Sequence, residues 1–169
     1  MKALKRKLKS RAGLTLVEML CTTAIVVIVT AGVVTTISLG LTQYQKSLRT
    51  SQSKVLASTL QTIISNELTY TTEINTEADG TVTSFQSQNY TLTDKMGTLA
   101  PTSDYGYITI SGEKVLSDAA YTKGLRARVE TFTYDSKNHL FTVTLVLGYK
   151  GEPYLTRTFQ VPNANEIGP

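Results

Sequence analysis

The feature that most constrains this chain is an unbroken apolar run over residues 14–41, 28 positions whose only charge is Glu18. At 1.5 Å rise per residue a helix of that length reaches about 42 Å, more than the ~30 Å hydrocarbon core of a bilayer. The run holds Thr15, Thr22, Thr23, Thr30, Thr35, Thr36 and Ser38, whose hydroxyls can bond back to carbonyls one turn earlier and so do not forbid a membrane span. A carboxylate does oppose it. Insertion scales put a charged side chain at the bilayer centre at roughly 2.5–3.5 kcal/mol, so Glu18 is a functional residue by default.

Charge is distributed as unevenly as hydropathy. Of 17 basic residues, Lys2, Lys5, Arg6, Lys7, Lys9 and Arg11 precede the run with no acid among them. Without these six, 11 basic residues face 13 acids, so the +4 of the whole chain becomes −2. The basic character belongs to the N-terminal segment, which removes the main support for a general nucleic-acid-binding protein. The same asymmetry keeps the N-terminal side of the run cytoplasmic and places the rest outside. Cys21 is the only cysteine, so no intramolecular disulfide can form and the outer portion must cohere by packing.

Beyond the run, Leu41, Tyr44, Leu48, Val55, Leu56, Leu60, Ile63, Ile64 and Leu68 recur at helical intervals among polar residues, the stripe of an amphipathic helix. No proline precedes Pro101, and Gly32 and Gly40 are the only glycines between 14 and 70. One helix over about 14–70 is therefore expected. Thr, Tyr, Val and Gly then take over, with turn signals at Asp79-Gly80, Ser111-Gly112 and Lys150-Gly151. Alternation predicts strands at 125–134, 139–149 and 153–161, an antiparallel meander whose inward sets are Leu125, Ala127, Val129 and Phe141, Val143, Leu145, Leu147. Shorter strands are expected at 81–85, 90–93 and 105–110, and the last residues, PNANEIGP, as a frayed tail. The fold class is α+β: a long N-terminal helix, transmembrane in its first half and amphipathic in its second, packed on a small antiparallel sheet.

A short basic leader ending in Gly13, followed by Leu-Thr-Leu-Val-Glu at the head of a long apolar helix, resembles the prepilin signature of type IV pilins and pseudopilins. The resemblance covers about 30 residues and implies a division into a cleaved leader (1–13), a transmembrane and filament-core helix (14–41), an amphipathic helix (42–72) and a β-sheet head (73–169). It implies cleavage by a prepilin peptidase between Gly13 and Leu14, N-methylation of Leu14, and pairing of Glu18 with the N-terminal amine of a neighbouring subunit. Other pilin subunits, the peptidase, an assembly platform with its ATPase, and the cytoplasmic membrane are the partners it implies. Leu14 stands where phenylalanine is commonest in the family, the apolar helix lacks proline, and a disulfide-closed C-terminal loop is impossible with Cys21 alone. The last departure points to a Gram-positive or pseudopilin-like relative.

Other classes have less behind them. A secretory signal peptide cleaved after Val29-Thr30-Ala31 would not explain Glu18 or a helical pattern continuing past the cut, and a plain anchor would not explain Gly13 and Glu18 together. No enzyme is expected: His139, the only histidine, falls at a turn with Asp135 nearby, without a nucleophile motif, metal-ligand cluster or phosphate loop. Nor is a cofactor. Asn89-Tyr90-Thr91 matches the glycosylation sequon by pattern alone. Arg126 and Arg128, with Lys123, offer a small basic patch for DNA, weighed against two solvated arginines opposite a core face.

Overall fold

The computed structural model describes residues 15–87, 96–97, 99 and 102–165. Among the described residues helix α1, Leu16–Thr69, is followed by eight strands: β1 Thr71–Thr76, β2 Val82–Ser87, β3 Met96–Gly97, β4 Thr109–Ile110, β5 Glu113–Lys114, β6 Leu125–Asp135, β7 Leu140–Tyr149 and β8 Glu152–Pro162. They form three antiparallel sheets, in orders β1-β2-β3, β4-β5 and β6-β7-β8. The chain divides into two units, Met1–Ser47 and Leu48–Pro169. It is an α+β protein, and the meander β6-β7-β8 matches the expected order.

In the second unit, α1 contributes Leu56, Ala57, Leu60, Ile64 and Leu68 to one core with the inward faces of the strands. The helix stripe is narrower than expected. Val55 is 64% exposed and Ile63 half-buried, while the small Ser53 and Ala57 are buried at the helix–sheet contact. The helix ends at Thr69, close to the expected end near residue 70, and Thr71 already pairs with Ser87. Strand β1 escaped notice because TTEINT carries a single aliphatic residue, Ile74.

Leu125, Ala127, Val129, Phe141, Val143, Leu145 and Leu147 are all buried, as their alternation predicts. In β6 the phase then slips. Val129 pairs with Leu145 and Thr131 with Thr144, leaving Glu130 as a bulge, so Phe132 rather than Thr131 continues the inward set. The Phe132 ring packs edge-on against Phe85 and stacks on Phe141, both at 5.9 Å between centroids.

Two hairpins turn on residue pairs with positive φ at both central positions, Ser111-Gly112 (53°, 81°) and Lys150-Gly151 (56°, 84°). That is the type I′ geometry, whose twist matches a two-residue hairpin. The other turns rest on aspartates. Asp135 accepts hydrogen bonds from Asn138 Nδ2 and the Lys137 N–H, and Asp79 from the Thr81 N–H. These bonds hold both carboxyls below their ordinary value, the Asn138 side chain acting first on Asp135 and the Thr81 N–H on Asp79. A depressed carboxylate contributes stability that is present above its unfolded pKa and lost as pH falls through its folded one. Thermal unfolding followed from about pH 5 to pH 2 should therefore lose less stability in the Asp79→Asn/Asp135→Asn variant than in the native chain.

Two expectations are corrected. Within 105–110 only Thr109–Ile110 is strand, and Gly106 instead makes an isolated bridge to Ala127, alongside β6. The described part of the C-terminal segment is not frayed. The Asn163 N–H donates to His139 O and the Ala164 N–H to Thr69 O, and the Asn165 side chain donates to Thr71 O. The Ala164 bond satisfies the carbonyl of the last residue of α1, and the other two tie the segment to the β6–β7 turn and to the start of β1. The expected strand at 90–93 lies outside the described residues.

Candidate functional site

The site the sequence points to lies at the start of α1. Gly13 and Leu14 lie outside the described residues, and description begins at Thr15. Thr15 caps the helix: its hydroxyl accepts from the Glu18 N–H at 3.2 Å and its carbonyl from the Met19 N–H at 3.1 Å. Thr-x-x-Glu is the capping-box spacing, with Glu18 at the third helical position, where the helix dipole favours a negative charge. Only the Thr15 half of the box is formed, through the Glu18 backbone N–H; the Thr-x-x-Glu spacing is the sequence signal for it. The Glu18 side chain is exposed, and its carboxylate makes no hydrogen bond or ion pair among the described residues.

Residues 15–47 are exposed throughout, including Leu16 at 78% and Ile28 at 72%. The helix is long and apolar enough to cross a membrane. Its hydroxyls do not oppose that. Thr30, Thr35, Thr36 and Ser38 each donate to the carbonyl four residues back, at 2.7–2.9 Å, and Thr22 and Thr23 do the same to Glu18 and Met19. Every one of these donors is satisfied within the helix, so lipid or a neighbouring helix meets a surface of methyl and methylene groups. Cys21 is exposed on the same segment.

The arginine patch on the head has a different form from the one expected. Arg126 and Arg128 are half-buried rather than freely solvated, because the segment carrying Tyr105, Gly106 and Tyr107 runs beside β6 against one side of them. The Arg126 guanidinium lies 4.9 Å from the Tyr107 ring and that of Arg128 5.4 Å from the Tyr105 ring. Arg128 also donates to Thr102 O and pairs with Glu130 at 2.8 Å. The Tyr105 ring lies against Gly148 so closely that a β-carbon there would fall 2.5 Å from it. Gly148→Ala should therefore destabilise the head by about 1–3 kcal/mol in denaturant unfolding, the usual range for overpacking. Adding Tyr105→Ala should recover most of that loss.

His139 sits in the β6–β7 turn at φ 53°, its Nδ1 3.3 Å from the Tyr134 hydroxyl. Asp135 is occupied by the N–H groups of its own turn. Among the described residues no cluster of three or more His, Cys, Asp or Glu could hold a metal ion. The Asn89 sequon lies outside those residues. Compared with protein-family models, with curated proteins and with solved structures, the chain matches none.

Proposed function

We propose that this chain is a structural subunit, major or minor, of a type IV pilus-like filament. The observation that carries the reading is the order of features at the start of α1. A basic segment ends at Gly13, and Glu18 follows at the head of an apolar helix whose whole surface awaits lipid or other helices. In this reading a prepilin peptidase cuts after Gly13 and Leu14 becomes a methylated N-terminus. The new α-amine, with a reference pKa near 8, is mostly cationic at neutral pH. It pairs with Glu18 of a neighbour, and two opposite charges buried together are far less costly than either alone.

The membrane serves as the reservoir, with the head outside it. Extraction exchanges lipid contacts of the helix for contacts with other subunits, and Ala24, Ala31, Gly32 and Gly40 let helices approach closely. The pairing is head-to-tail and does not close, which is the geometry of a filament on the cell surface or of a secretion or competence pseudopilus. Platform protein and assembly ATPase complete the machine.

The capping geometry of Thr15 and Glu18 favours one rival, a single-pass anchor in which Glu18 only starts a helix. Mass spectrometry of the N-terminal peptide from native membranes separates the two. A chain beginning at N-methylated Leu14 is expected. An intact Met1, or a start near Gly32, would sink the filament reading.

A further inference from the structure

The end of the head where α1 enters it carries cations that its own acids do not neutralise. Arg49 lays its guanidinium over the Tyr149 ring, 3.8 Å from the centroid, and so holds the Lys150-Gly151 turn beside the helix. Pairing of Leu125 with Tyr149 brings Lys123 and Arg126 to the same end. Arg126 and Lys150 line one open hollow with Tyr105 and Asp104. Lys114 and Arg128 are nearby but spoken for, by Asp118 at 2.6 Å and Glu130 at 2.8 Å. Arg49, Lys123, Arg126 and Lys150 form no ion pair among the described residues, although Asp104 and Glu152 lie beside them. Tyr154, just past the turn, is half-buried, its hydroxyl 2.7 Å from Thr50 Oγ1.

We propose that this end of the head, built on Arg49, Lys123, Arg126 and Lys150 with Tyr149 and Tyr154, binds anionic phospholipid headgroups at the membrane surface. The inference rests on the reading of residues 14–41 as a membrane span. Given that span, chain connectivity selects the ligand. Arg49 follows Leu41 by only eight residues, a tether of at most about 29 Å even if fully extended, so of all polyanions the headgroups are the ones this end cannot avoid meeting. Charge and shape agree with it. Lys and Arg near an anionic leaflet are attracted within a Debye length, and their aliphatic stems and tyrosine rings suit the boundary between headgroup and acyl chain. A subunit held this way keeps its head at the membrane until extraction breaks the contact, which makes lipid composition a control on assembly.

The test uses the full chain reconstituted in vesicles of phosphatidylcholine, with or without phosphatidylglycerol, and hydrogen exchange of the peptide over residues 147–155. Phosphatidylglycerol is expected to slow exchange at the turn on the order of tenfold, the effect of one or two basic residues near an anionic surface. High salt should abolish the difference, because screening shortens the reach of charge to a few ångströms. The Arg126→Gln/Lys150→Gln variant should exchange like the native chain in phosphatidylcholine and show no slowing with phosphatidylglycerol. Equal exchange of the native chain in both lipids overturns the proposal. So does equal protection in phosphatidylcholine by an added single-stranded oligonucleotide, which would make the site a general polyanion binder. Failure of the chain to float with phosphatidylcholine vesicles would instead overturn the membrane span beneath it.

Discussion

Glu18→Ala is expected to enter the membrane in the native orientation and then fail to appear in filaments. In the proposed reading, orientation follows from the basic residues of the first eleven positions, which the substitution leaves alone. In the proposed filament, assembly depends on the pairing of Glu18 with a neighbour's N-terminus, and breaking a buried pair on one side costs about 3–5 kcal/mol. At roughly 1.4 kcal/mol per tenfold, incorporation should fall at least a hundredfold. Quantifying the variant in sheared surface filaments against its level in membranes gives the ratio directly. Alanine alone does not separate pairing from capping, because Glu18 also occupies the third position of a helix capped by Thr15. Glu18→Gln does: glutamine suits a capping box as well as glutamate but carries no charge. Loss of assembly in both variants supports the ion pair. Normal assembly of Glu18→Gln would reduce Glu18 to a helix-start residue and remove the strongest support for a filament.

The parts of the fold that could be read from the sequence are those where a single periodicity runs unopposed. The inward residues of β7 alternate without interruption from Phe141 to Leu147, and all are buried. The helix needed only the absence of breakers between residues 16 and 69. Reading failed where tertiary contacts assign the face. Val55 fits the helical stripe as well as Leu56, yet only Leu56 meets the sheet. The bulge at Glu130 is visible in hindsight, since Leu125, Ala127 and Val129 keep one phase while Phe132 and Tyr134 keep the other. Nothing local to Tyr105 says that its ring will lie on Gly148, forty-three positions away, and so leave the arginine face half-buried. The candidate site could be nominated from the sequence because its features are local, a basic segment, Gly13 and Glu18 within eighteen residues, whereas the cap at Thr15 emerged only with the helix start in place.

Phe132→Ala is the substitution expected to damage the head most. The side chain is 1% exposed, is aimed inward only because of the Glu130 bulge, and joins Phe85 of β2 to Phe141 of β7 through ring contacts. Its truncation should destabilise the chain by about 3–5 kcal/mol, from lost transfer energy and a cavity whose aromatic walls cannot close. Val55→Ala removes apolar atoms that are already in water and should shift stability by no more than about 0.5 kcal/mol. Both can be compared by denaturant midpoints of the detergent-solubilised chain at constant m-value. The contrast decides a point of register. If β6 ran in unbroken alternation from Leu125, Thr131 would face the core and Phe132 would be outside it. Phe132→Ala would then be nearly silent and Thr131→Asp severe, the reverse of what the bulge requires.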